Sequence, residues 1–268
     1  MRTLINNIAF PEGPAFDREG TIWLVEKEAG NLICYKNNQW YRYFVGGAPN
    51  GIAIDANNLL WFCDSKQHSI RTFNSVTGTI ETMAGQVGGD VLKMPNDLAF
   101  DRKGQLLFTC PGDRITDGTG YVCCLTSQKQ VLKIRTGMYY PNGLALNREG
   151  TRLYIAETGT RLIWKFDWDA GTATLSQPGI LVNTGGAVGP DGMALDEAGN
   201  IYVAVYGAGV IQKISPDGCE TEAIRLPGAN PTNCALDPRG HQGLIITEAE
   251  KGCLLQLDTA AKGLLEVS

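Results

Sequence analysis

One motif recurs six times along this chain, and the spacing of its copies leaves few folds open. It reads PEGPAFDREGTIWLVE from Pro11, PNGIAIDANNLLWFCD from Pro49 and PNDLAFDRKGQLLFTC from Pro95. The later copies are PNGLALNREGTRLYIAE from Pro141, PDGMALDEAGNIYVAV from Pro190 and PTNCALDPRGHQGLIITE from Pro231. Successive prolines lie 38, 46, 46, 49 and 41 residues apart. A period of ~40–50 residues suits a four-stranded blade, whereas helical repeats run at about 33–34.

The columns of the repeat have separate physical causes. Four residues after each proline stands alanine: Ala15, Ala53, Ala99, Ala145, Ala194 and Ala235. This marks an innermost strand, where blades converge and only a small side chain fits. Two residues after the proline come Gly13, Gly51, Asp97, Gly143, Gly192 and Asn233. These types tolerate positive φ, so a sharp bend is expected there. Six residues after it come Asp17, Asp55, Asp101, Asn147, Asp196 and Asp237, five of them followed three later by glycine. Asp at the first and Gly at the fourth position of a type I turn signals a hairpin. These carboxylates are therefore read as turn-formers, not catalysts.

Second strands are expected at Thr21–Glu26, Leu59–Asp64, Gln105–Cys110, Arg152–Glu157, Asn200–Val205 and Gly243–Glu248. Third strands follow, as at Asn31–Lys36, Ser69–Asn74 and Leu162–Trp168, and fourth strands, as at Thr79–Ala84 and Thr221–Leu226. No window carries a helical period. The expectation is an all-β chain: a six-bladed β-propeller with four antiparallel strands per blade, residues 1–268 forming a single domain. Thr3–Ile8 is expected to supply the outer strand of the last blade, with Leu264–Val267 as the competitor.

Composition narrows the function classes. The chain has 33 glycines in 268 residues, well above the ordinary ~7%. Its net charge is −5, which disfavours nucleic acid or an anionic membrane as the main partner. No apolar run approaches 18 residues, and Met1-Arg2-Thr3-Leu4 does not begin a signal peptide, so a cytoplasmic location is expected. Two histidines, His68 and His241, exclude a three-histidine zinc site. The eight cysteines form no C-x-x-C pair and read as small buried hydrophobes. There is no G-x-S-x-G, no Walker A loop and no H-E-x-x-H. Gly207-Ala208-Gly209 lacks a third glycine and reads as a hairpin loop.

The column directly after the proline differs from the rest. It holds Glu12, Asn50, Asn96, Asn142, Asp191 and Thr232, just before the innermost strands. All six are expected to point into one mouth of the central channel. Two carboxylates brought together repel or raise each other's pKa, and a divalent cation removes the conflict. Oxygen-only ligands suit hard cations such as Ca2+, Mg2+ or Mn2+. The spacing leaves open the alternative of a polar ring that merely fills the channel with hydrogen bonds.

The set Pro11-Glu12-Gly13-Pro14, Pro95-Asn96-Asp97, Pro141-Asn142-Gly143 and Gly189-Pro190-Asp191-Gly192 resembles the gluconolactonase family, which includes regucalcin and bacterial sugar lactonases. It is also similar to diisopropylfluorophosphatase, a calcium-dependent relative in fold. The likeness runs from Glu12 through Ile246-Thr247-Glu248. It implies one divalent cation in the channel (Ca2+ first, with Mg2+, Mn2+, Zn2+ or Fe2+ as alternatives). The ligands implied are Glu12, Asn142 and Asp191, with Asp191 catalytic. Asn96 contacts substrate in the lactonase branch and ligates calcium in the fluorophosphatase branch. The implied activity is a metal-dependent lactonase, a carboxylic ester hydrolase acting on a sugar-acid lactone. Its alternatives are an aryl esterase or phosphotriesterase on the same site and a non-enzymatic binding propeller. Partners reduce to a small lactone or ester, with a monomer or small homo-oligomer expected.

One departure concerns substrate. Regucalcin-like members place an arginine two residues before the asparagine matching Asn96, and here that residue is Met94. Arg114 or Arg161 could replace it. Meander parity puts second-to-third-strand loops at the ring's mouth, among them 111–120, the lid candidate, and 158–161. The glycine-rich connections 85–94 and 183–189 are expected to complete the rim. Asn50 and Thr232 are expected to orient substrate hydroxyls alongside Asn96. Glu26, Asp64, Glu157 and Glu248 end second strands on the same face and are read as loop anchors.

Overall fold

The structure is a computed structural model, described over residues 1–264. Among those residues every regular element is a strand, and six antiparallel sheets of four strands form the blades of a propeller. The innermost strands are Pro11–Phe16, Pro49–Ile54, Leu98–Phe100, Pro141–Leu146, Gly189–Leu195 and Pro231–Leu236. Four of them start on the repeat's proline, whose missing N–H costs nothing on an edge facing the channel.

In blade one the chain continues outward through Ile22–Glu26, Asn31–Lys36 and Gln39–Phe44, each paired antiparallel to the last. The hairpins are built as the aspartate column requires. Asp17 Oδ1 accepts the Glu19 and Thr21 N–H groups at 2.9 and 2.8 Å. Gly20, at φ 81°, closes the turn onto the Asp17 carbonyl. In blade two the glycine's place is taken by Asn58 at φ 59°, as asparagine tolerates this region.

Six buried apolar clusters hold the ring together, one between each pair of neighbouring blades. Phe62 and Phe108 are among the largest fully buried side chains. Burying such a group contributes roughly 1.5–3 kcal/mol. The ring closes through the N-terminus: Arg2–Ile5 pairs with Cys253–Leu257 as the outer strand of blade six. Of the competing segment Leu264–Val267, only Leu264 lies within the described residues. Gly263 bridges Asp196 of blade five, and its N–H reaches the Asp237 carbonyl of blade six.

One expectation is corrected. Of the column Gly13, Gly51, Asp97, Gly143, Gly192 and Asn233, only Gly13 has positive φ, at 47°. The strands are already running there, and a register shift follows the proline in five blades. Such a bulge bends the strand and re-aims its side chains without a turn. The glycines are needed for space instead: a Cβ on Gly192 would lie 1.9 Å from Asn233 Cγ, and one on Gly51 2.2 Å from Asp97 Oδ1. The connection 85–94 carries an element of its own, and its end meets the rim loop 111–120 where Lys93 Nζ lies 2.6 Å from Asp113 Oδ2. Gln86–Val87 and Asp90–Val91 pair as an extra hairpin. It borders a hollow shared with Lys129–Val131, and no ring residue lines that hollow.

Candidate metal centre at the channel mouth

Four ring residues sit at the second position of an innermost strand; Asp191 is third in its strand, and Asn96 lies two residues before the strand of blade three. Glu12, Asn50, Asn96, Asn142, Asp191 and Thr232 are all buried, and Asp191, the most open, is only 8% exposed. The six blades therefore bring together the residues that the spacing singled out.

Burial raises the pKa of Glu12; Lys27, the Gly13 N–H and the Asn233 side chain oppose the shift. Asp191 is pushed well above the usual carboxylate range by burial and by the charge of Glu12. Asp97 adds to that push, while Lys27 and an Asn142 hydrogen bond counter it. Two carboxylates thus share one desolvated space and destabilise each other's charged form. Asn50 is 1% exposed, and neither its Oδ1 nor its Nδ2 has a partner within the protein. A buried amide left without partners costs about 1–3 kcal/mol unless something else fills the role.

These observations fit a hard divalent cation: two anionic oxygens, amide oxygens around them, and an amide still open. Among the described residues no group of three His, Cys, Asp or Glu side chains forms a metal cage. The neutral oxygens must come from amides, as the ring allows.

Thr232 serves another purpose. Its hydroxyl donates to the Pro11 carbonyl at 2.7 Å and lies 2.8 Å from Thr247 Oγ1, tying blade six to blade one. Thr109 Oγ1 to the Asn142 carbonyl and Thr158 Oγ1 to the Pro190 carbonyl repeat this latch, both at 2.7 Å. The Thr232 hydroxyl proton is thus spent on the ring itself.

Beneath the ring, Asn233 Nδ2 lies 3.4 Å from Asp97 Oδ2, and the two side chains fill the space that Gly192 and Gly51 leave. This floor separates the ring from a cavity of ≈ 610 Å³ on the hairpin side of the channel. That cavity is lined largely by apolar residues such as Phe16, Phe100 and Leu146, and it contains none of the six ring residues.

The rim follows parity. Arg161 is exposed, with φ 63°, and its guanidinium donates to the Ala187 and Val188 carbonyls, joining 158–161 to 183–189. Arg114 is exposed on the 111–119 loop, whose Ile115 carbonyl packs against Gly159. The four strand-ending acids hold loops. Glu26 accepts from Ala9, Asn31 and Arg42; Asp64 from Ala48, Gln67 and Arg71. Glu157 takes Tyr139, Thr160 and Trp164, and Glu248 takes Asn230 and Lys251.

Sequence reasoning missed several residues at this mouth. Lys27 follows Glu26 in a loop that parity already places there, and it is the cation acting on both carboxylates. Tyr140 and Tyr206 have pKa values raised by burial and then by Asp191, with a smaller push from Glu12. Tyr140 stands immediately before the Pro141 motif, and Tyr206 ends the second strand of blade five, one residue past Val205, which pairs with Pro190 as the acids of four blades pair with their prolines.

With this geometry in view, comparison with known proteins is decisive. The SMP-30/Gluconolactonase/LRE-like region matches residues 10–250. The chain belongs to that family. It is 27% identical to diisopropyl-fluorophosphatase of Loligo vulgaris, over 94% of this chain and 90% of that protein. It is 29% identical to pentonolactonase XacC of Haloferax volcanii, over 91% of each chain. Gluconolactonase of Zymomonas mobilis matches at 27% over 90% of this chain and 76% of its own. Among solved structures, a gluconolactonase from Xanthomonas campestris superposes with a TM-score of 0.84 at 24% identity, covering 96% of this chain and 88% of its own. At that identity the likeness speaks for the fold. No helix among the described residues is long and apolar enough to cross a membrane.

Proposed function

We propose that this family member is a divalent-cation-dependent hydrolase that opens a small sugar-acid lactone. The observation that carries the reading is the buried pair of Glu12 and Asp191, mutually destabilised within a ring of amides. Lactonase names among the relatives support it. Glu12, Asn142 and Asp191 would hold the cation, with Asn96 as a further ligand or a substrate contact, and Ca2+ is the first choice. Once bound, such an ion supplies Lewis-acid polarisation of the lactone carbonyl and charge stabilisation for the oxyanion.

The protein's own groups do the rest. Asp191 accepts a proton from the attacking water at a carboxylate oxygen, acting as general base. Asn142, hydrogen-bonded to Asp191, fixes which carboxylate oxygen remains available for that proton. Asn96 and Asn50 present amides to the substrate's ring oxygens. The rim of 111–119 and 158–161 limits the approach to one small molecule.

A second reading, hydrolysis of a phosphotriester, is favoured by the fluorophosphatase relative, whose match spans 94% of this chain. A panel of aldonolactones, aryl esters and phosphotriesters, assayed for acid release with and without chelator, separates the two. Chelator-sensitive turnover of lactones alone supports the first reading, and turnover of phosphotriesters alone overturns it.

A further inference from the structure

Three residues that directly precede a ring proline hold left-handed backbone: Phe10 at φ 59°, Met94 at 49° and Tyr140 at 60°. Left-handed φ is uncommon for large side chains, and residues before proline already have restricted conformations. Such strain persists only where surrounding structure enforces it, and it gathers at ligand sites. Here Lys27 N–H donates to the Phe10 carbonyl at 3.0 Å, and Thr158 N–H to the Tyr140 carbonyl at 3.1 Å. All three residues are half-buried, and each stands two positions before a ring residue (Glu12, Asn96 and Asn142), so their backbones make a collar beside the ring.

One sector of this collar carries charge. Lys27 Nζ stands 5.2 Å over the Phe10 ring, half-buried. Among the described residues no carboxylate lies within ion-pair distance of it. Asn50, with its unpartnered Nδ2, occupies the next blade, on the side of the six-membered ring opposite Asp191. With a divalent cation balancing Glu12 and Asp191, Lys27 is left as an unneutralised positive charge beside the ring.

We infer that Lys27, seated on Phe10 and flanked by the open amide of Asn50, is a specificity-determining anion contact, selecting lactones that carry a second, negatively charged group such as a carboxylate. This rests on the lactone reading of the ring. A lactone bearing a carboxylate opens to a dicarboxylate, so one carboxylate is formed at the ring while the other stays on Lys27.

Calorimetry on the calcium-loaded protein, at fixed free Ca2+, compares the acid products gluconate and glucarate. Glucarate is expected to bind wild type at least about tenfold more tightly, in keeping with a charge-assisted hydrogen bond. Lys27→Met should erase that preference while leaving gluconate within about threefold, and Lys27→Arg should retain it. Equal binding of the two acids to wild type would overturn the inference. So would loss of both acids together with calcium affinity in Lys27→Met, which would make Lys27 only a balance for the carboxylates. Parallel assays of the two corresponding lactones keep the readings apart. A Lys27-dependent preference without lactone turnover sinks the hydrolase reading alone, whereas turnover without the preference sinks this one.

Discussion

Asp191→Asn should make the cation-free protein more stable while abolishing activity. The substitution keeps the side chain's shape and its acceptor for Asn142, and removes one of two buried negative charges. Unit charges about 4 Å apart repel by ~4 kcal/mol at an effective dielectric near 20. Lys27 already offsets part of this, so a net gain of about 1–3 kcal/mol is expected at pH 7.5 in chelator. For a chain of this size each kcal/mol moves the melting midpoint by ~2–4 °C, giving about 2–12 °C in all. Circular dichroism melts in EDTA read that rise directly. In saturating Ca2+ the order should reverse, since only wild type gains from the ion. A variant that melts at or below wild type in EDTA would refute the idea of a ring strained for binding.

The same pair sets a pH dependence. Glu12 and Asp191 have folded pKa values above their unfolded ones, so between those limits the native state binds more protons. Stability of the cation-free protein from this pair therefore declines as pH rises from about 4 through the raised values. The melting advantage of Asp191→Asn over wild type should widen over that interval, and a constant advantage would contradict it. Thr232→Val leaves the Pro11 carbonyl without its donor and should cost about 1–3 kcal/mol in urea unfolding. It should leave kcat/KM for lactones within about threefold, and a selective loss of kcat/KM would restore a substrate role. Arg71→Met strands Asp64, which is fully buried and paired with Arg71 at 2.8 Å. A loss of about 3–5 kcal/mol is expected, again by urea unfolding.

Much of this architecture is legible in the repeat, because each column answers one local demand. Asp17 and its equivalents are the turn acceptors that their spacing implies. Glu12 and Asp191 fall at equivalent positions of different blades, so a closed ring must bring them together. What stays hidden depends on contacts between blades. Gly51 and Gly192 look like bend residues, yet they are small because Asp97 and Asn233 of the neighbouring blades occupy the space their side chains would need. Thr232 occupies a site position but answers to Pro11 on the far side of the ring closure. The collar runs against local propensity, since nothing in Phe10-Pro11, Met94-Pro95 or Tyr140-Pro141 favours left-handed backbone. Lys27 carries no motif and becomes visible only once the blade brings it beside the two carboxylates.

The central claim is that Glu12, Asn142 and Asp191 form one cation site. Isothermal titration of chelator-stripped protein with Ca2+ tests it most directly, using wild type beside Glu12→Gln and Asp191→Asn. The account predicts one high-affinity site in wild type, weakened by at least about a hundredfold in either variant as a buried anionic ligand is lost. Heats that are absent in wild type, or unchanged in both variants, would contradict it.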